Sequence, residues 1–200
     1  MKVSIIIPYK EDRGWLKHAI TSVHNQTYKG EIELILSQSQ HRVGYNLNRG
    51  IEKATGEYIK YLCDDDWLTP ESIQRSVECM EGHDFIHGCA YNVFNGISAL
   101  HKPRMRQPTL SDMLRGNVIH GGTLMYRRDL FDRIGLFDEE LECGEEYELN
   151  MRALKLGMKL GYCPYILYNY RRHEQQKSLG KNVNQYLRMQ KMDEIKRRFA

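Results

Sequence analysis

This 200-residue sequence predicts an α/β fold, with a mostly parallel sheet flanked by helices and a mixed second half. Two observations carry that prediction. Strand-like and helix-like stretches alternate through the first 70 residues as strand, helix, strand, helix, strand. That alternation gives a right-handed parallel sheet with its loops on one edge. In addition, Val3–Ile7 is a continuous run of β-branched residues and serine, the pattern of a strand buried on both faces.

Taken in order, Pro8 ends the first strand and residues 9–14 form a polar loop. Trp15, Leu16, Ala19, Ile20 and Val23 recur at helical spacing up to Gln26. Glu31–Leu36 is the second strand, residues 37–42 a polar loop, and a helix runs from about Val43 to Ala54. Thr55-Gly56 closes that helix and Tyr58–Leu62 is the third strand. This strand stops at three consecutive aspartates, Asp64, Asp65 and Asp66. Thr69 as N-cap, Pro70 at the first helical position and Glu71 in the first turn then predict a helix to Met80.

Beyond that point the pattern loosens. Strands are predicted at 84–88 and 89–94, a loop at 97–108, and a short helix at Leu110–Arg115. A strand at Gly122–Tyr126 and a helix at Asp129–Ile134 follow, the latter closed by Gly135. Glu145–Leu156 is a helix capped by Gly157, and Leu160–Tyr170 a strand broken near Pro164. A last helix spans Asn182–Phe199, apolar at Val183, Tyr186, Leu187 and Ile195. Without repeats or linkers, the chain reads as a single domain, with halves at 1–95 and 96–175 and a C-terminal helix at 180–200.

Composition narrows the function classes. A net charge of +3 is too mild to imply nucleic acid, and no apolar run reaches the roughly 20 residues that span a bilayer. Five cysteines without CxxC spacing favour a reduced, cytoplasmic compartment over a disulfide framework. Neither GxGxxG nor GxxxxGK[ST] occurs, so no dinucleotide fingerprint or P-loop is present. Three adjacent carboxylates repel one another and call for a cation. Hard ions such as Mg²⁺ or Mn²⁺ prefer oxygen ligands and bridge to phosphates. The end of a parallel strand is also where open α/β sheets place ligands.

Several stretches in order carry a resemblance: Val3–Tyr9 (VSIIIPY), Ser22–Tyr28 (SVHNQTY), Asn48–Ile51 (NRGI), Gly56–Ile59 (GEYI) and Asp64–Pro70 (DDDWLTP). Later come Ile134–Glu139 (IGLFDE), Gly144–Leu149 (GEEYEL) with Arg152, and Tyr170–His173 (YRRH). Over residues 1–175 this resembles the family 2 glycosyltransferases with the GT-A fold. The resemblance implies a nucleotide-sugar donor, most simply UDP-linked, and a divalent metal, Mn²⁺ or Mg²⁺. It further implies transfer to a hydroxyl of a glycan or glycoconjugate acceptor with inversion, and leaves room for further domains of a longer chain. It places Asp65 and Asp66 at the metal with His173, and Asp64 near the ribose and metal. Glu146 falls at the general-base position with Glu145 beside it. Pro8, Tyr9, Ser37, Gln38, Asn48, Arg171 and Arg172 fall on the nucleotide and diphosphate side, and His120 and Gly121 on the acceptor side.

The sequence departs from the family pattern at three places. Cys63 stands where many relatives carry another aspartate, Ser37-Gln38 where acids usually read the base, and Leu47 where an arginine is common. These departures motivate a second reading, a non-catalytic sugar-nucleotide or glycan-binding relative. A nucleotidyltransferase is a third, weakened because the loop at 9–14 offers only Lys10 and Arg13.

Overall fold

The computed structural model describes residues 1–176, 178 and 184–200. Its strands are β1 (Lys2–Tyr9), β2 (Glu31–Gln38), β3 (Tyr58–Tyr61), β4 (Trp67–Leu68), β5 (Phe85–Phe94), β6 (Ile97–His101), β7 (Met125–Arg127) and β8 (Leu160–Arg171). Its helices are α1 (Leu16–His24), α2 (Val43–Lys53), α3 (Ser72–Cys79), α4 (Leu110–Arg115), α5 (Leu130–Ile134), α6 (Glu145–Lys155) and α7 (Gln185–Arg197). The strands form one sheet in the order β2-β1-β3-β7-β5-β8-β4, with β6 against β5.

The fold is the expected α/β arrangement. β1 runs parallel to both β2 and β3, while β7 is antiparallel to β3 and β5, so the sheet becomes mixed in its second half. The β-branched run is buried because both faces of β1 are covered. Ile6 points to a core shared with Leu47 and Ile51 of α2 and with α6. Val3, Ile5 and Ile7 point to the other, shared with Leu16, Ala19 and Val23 of α1. None of Ile5, Ile6 and Ile7 is exposed, and each such side chain contributes roughly 1.5–3 kcal/mol.

Several boundaries differ from the sequence expectation. Pro8 does not end β1: the strand continues to Tyr9, with Pro8 opposite Ser37 and Tyr9 opposite Gln38. β3 pairs with β1 only as far as Tyr61 opposite Ile6, so at Pro8 no β3 ladder requires its missing N–H. Thr69 is not an N-cap, because its hydroxyl donates to the Ile166 carbonyl at 2.6 Å, and α3 starts at Ser72. Trp67 and Leu68 instead pair with Asn169 and Tyr168 of β8. The predicted loop at 97–108 contains β6, which folds back on β5 through Asn95-Gly96, both at positive φ. Gly122-Thr123 belongs to a 3-10 turn, Gly121–Thr123, and β7 begins only at Met125.

The break expected near Pro164 is a bulge. Gly88 pairs with Cys163, Cys89 with Ile166 and Ala90 with Tyr168, so β8 carries extra residues while remaining one strand. In α7, Tyr186 and Leu187 are exposed and only Ile195 is buried. The expected start at Asn182 and the apolar Val183 lie outside the described residues. Among the described residues, no helix is long and apolar enough to cross a membrane.

Candidate active site

The aspartate triplet sits just beyond β3, between that strand and β4. Pairing of β4 with β8 draws Tyr168, Arg171 and His173 onto the triplet. Asp66 is 1% exposed; its oxygens accept from the Tyr168 hydroxyl at 2.8 Å and the Arg171 N–H at 2.7 Å. Burial pushes its carboxyl well above the usual range, with the Asp65 charge adding to the effect. Asp65 accepts from Arg13 at 3.1 Å and lies 3.0 Å from Nε2 of His173, whose ring packs on Trp15. The same Arg13 nitrogen lies 3.1 Å from Asp64, whose carboxyl is raised by burial despite that partner.

The triplet borders a cavity of about 450 Å³. Asp65, Asp66 and Cys63 line one part of it, and Glu145 and Glu146 at the start of α6 another. His120, Gly121 and Gly122 lie on the wall, and Arg172, just past β8, and Arg188 of α7 reach it. Gly144, at φ 77°, turns the chain into α6 and aims its first residues at the cavity. Glu145 is 6% exposed, whereas Glu146 is half-buried and packs against the bare backbone of Gly121. A Cβ on Gly121 would stand 2.8 Å from the Tyr61 hydroxyl and 2.9 Å from Cγ of Glu146. Burial, with the neighbouring His101, lowers the His120 pKa to about 4, so its imidazole is neutral near pH 7.

The donor set suits a hard divalent cation. Carboxylate oxygens of Asp65 and Asp66 and the sulfur of Cys63 lie within 4.8 Å of one another. Burial raises the Cys63 thiol well above its usual range and disfavours the thiolate, so the two carboxylates are the harder donors of this cluster. Arg13 meets part of the negative charge of Asp64 and Asp65, and a cation between the carboxylates would meet the rest.

The Glycosyl transferase family 2 model matches residues 28–135. The chain belongs to glycosyl transferase family 2. It is 30% identical over 188 residues to an uncharacterized glycosyltransferase of Rickettsia typhi, a match covering 77% of this chain and 59% of that protein. It is also 30% identical over 161 residues to the amylovoran biosynthesis glycosyltransferase AmsB of Erwinia amylovora, covering 74% and 53%. The chain thus spans little more than half the length of these relatives. Among solved structures, S. aureus TarS 1-349 in complex with UDP-GlcNAc superposes with a TM-score of 0.70 at 18% identity, covering 88% of this chain and 60% of that one. At that identity the likeness concerns the fold, and the family 2 GT-A architecture is the one observed.

Within the family 2 domain, Asp64 shares Arg13 with Asp65 and His173 lies against Asp65, and the other residues expected from sequence divide into three groups. Asp65, Asp66, Glu145, Glu146, His120, Gly121 and Arg172 all line the one cavity. Pro8, Tyr9, Ser37 and Gln38 meet in register at the ends of β1 and β2, where Gln38 donates to the Lys10 carbonyl at 3.2 Å. Asn48 and Arg171 are hydrogen-bonded within the protein. Asn48 donates to Phe137 O at 2.9 Å and Glu139 at 2.8 Å and accepts from Phe137 N–H, so its amide binds 137–139 to α2. Arg171 donates to Asp65 O at 2.7 Å and its guanidinium lies 4.7 Å from the Trp67 ring centre. Sequence reasoning missed Arg13 as a partner of the triplet, Lys60 beneath the 3-10 turn, and Arg188. Each lies far along the chain from what it faces and belongs to no motif.

Proposed function

We propose that this domain is a metal-dependent, inverting glycosyltransferase. It moves a sugar from a nucleoside-diphosphate donor, UDP-linked, to a hydroxyl of a glycan acceptor. The observation that carries this reading is the shared cavity, with Asp65 and Asp66 contributed by the end of β3 and Glu145 and Glu146 by α6. Residues 1–95 bind the donor, with Tyr9, Ser37 and Gln38 on the nucleotide side and Arg172 facing the diphosphate. Residues 96–175 present the acceptor over His120 and Gly121.

Asp65 and Asp66 would hold the metal, with His173 and Asp64 beside them. When bound, the metal supplies the positive charge that a departing diphosphate requires. Glu146, the less buried of the pair, accepts the proton of the attacking hydroxyl. A single displacement with one such base inverts the anomeric carbon. Neutral His120 orients the acceptor hydroxyl without competing for the proton.

Screening nucleotide sugars for Mn²⁺-dependent thermal stabilisation tests the donor and metal together, because a ligand of the folded state raises stability by mass action. A UDP-sugar is expected to raise Tm with Mn²⁺ and lose that effect in EDTA or in Asp65→Ala. Equal stabilisation in EDTA would contradict the metal role. The Arg13 bridge across Asp64 and Asp65 favours a second reading, a non-catalytic sugar-nucleotide module in which Arg13 replaces the cation. Mn²⁺-dependent hydrolysis of the donor would exclude it.

A further inference from the structure

Away from the cavity, the end of α3 brings one cysteine against another. Cys79 Sγ lies 2.7 Å from Cys163 Sγ, across 84 positions of sequence. A disulfide needs about 2.05 Å, so only a small closure separates the pair from a bond. Cys79 is half-buried and reachable, whereas Cys163 is fully buried at the β8 bulge. The surroundings hold both in place: Cys163 contacts the Arg75 carbonyl at 3.4 Å, and the Arg75 guanidinium sits 4.6 Å from the ring centre of Tyr165. Cys163 and its burial are not explained by the glycosyl-transfer site, which neither sulfur lines.

We propose that Cys79 and Cys163 form a reversible dithiol–disulfide pair that staples α3 to β8. Contact with the Cys163 thiol lowers the Cys79 pKa, and contact with Cys79, together with burial, raises that of Cys163. Cys79 is therefore the attacking thiolate and Cys163 the resolving thiol. With a low-molecular-weight disulfide such as oxidised glutathione, the Cys79 sulfur attacks one glutathione sulfur and releases the other as a thiolate. Cys163 then gives up its proton and attacks the Cys79 sulfur, releasing the second glutathione. Two protein thiols are oxidised to one disulfide, and one glutathione disulfide is reduced to two thiols.

The staple would join two elements that flank the aspartate triplet. α3 follows β4 directly, and β8 runs from the bulge to Tyr168 and Arg171, which hold Asp66. Closing a loop of this length stabilises the folded state by restricting the unfolded chain. The test is independent of the proposed transferase activity. The protein is incubated with oxidised glutathione, free thiols are alkylated, and peptides are mapped without reduction. A linked peptide pair containing Cys79 and Cys163, two hydrogens lighter than the reduced pair and reversed by dithiothreitol, is expected. Oxidised protein should melt higher by about 5–15 °C than reduced protein, and Cys79→Ser, a change at the reachable position, should abolish the shift. A lasting glutathione adduct on Cys79 with Cys163 still reduced would overturn the proposal, as would alkylation of both thiols.

Discussion

Lys60 lies in the middle of β3 with none of its surface exposed, and its ammonium donates to the carbonyls of Gly122 at 3.3 Å and Leu124 at 3.2 Å. Those bonds hold the turn that carries Gly121 to Glu146. Burial lowers the Lys60 pKa to about 7, against roughly 10.4 in an unfolded chain. Between these values the unfolded state holds a proton that the folded state lacks, so stability rises with pH from about 7 upward. Tyr61, Tyr126 and Tyr168, raised by burial, oppose this only near pH 10 and above. The unfolding free energy should therefore rise by on the order of 1 kcal/mol between pH 7 and 8, below the range in which the raised Cys63 and Cys163 thiols oppose it. Lys60→Met should flatten that slope, as read by urea denaturation across the range. Equal slopes in both proteins would show that Lys60 does not titrate there. Lys60 escaped the sequence reading because YIKY resembles an alternating strand with its lysine outward, whereas this strand is covered on both faces.

At the scale of elements, α2 shows packing overriding helix propensity. Gly50 lies within the helix, where alanine ordinarily adds roughly 0.5–1 kcal/mol. Here a Cβ would collide with Cγ2 of Ile6, which is fully buried in the central strand and cannot retreat. Gly50→Ala should destabilise by about 1–3 kcal/mol, the cost of overpacking. A higher Tm in that variant would mean that β1 and α2 are less tightly fitted. The first five elements were legible because their apolar periodicities are strong and β1 and β3 are buried on both faces. Thr69-Pro70 misled because a cap signal depends on a free hydroxyl, and that of Thr69 is engaged by Ile166 across the sheet. β6 was missed because its side chains are mostly exposed, leaving no burial pattern to read.

Across the whole molecule, one sheet joins the half that ends in the triplet to the half that supplies α6. α7 closes the back of that arrangement: Met192 and Ile195 press on Gly144, where a Cβ would stand 2.7 Å from the methionine sulfur. Lys191 of this helix pairs with Glu142 of the body, and Arg198 just past its end with Asp138. Ile195→Ala should cost about 2–5 kcal/mol and loosen the start of α6, seen as a lower urea midpoint. An unchanged midpoint would mean that α7 does not support the site. The carboxylates of the site were legible as local motifs with a fixed order. Their convergence was not, because it depends on the β4–β8 pairing and on Gly144, whose effects are three-dimensional. The most direct measurement is single-turnover transfer by Glu146→Gln with Mn²⁺ and a UDP-sugar. Donor binding close to wild type, with transfer slowed about 10²–10⁴-fold, is expected. Transfer at the wild-type rate would contradict it.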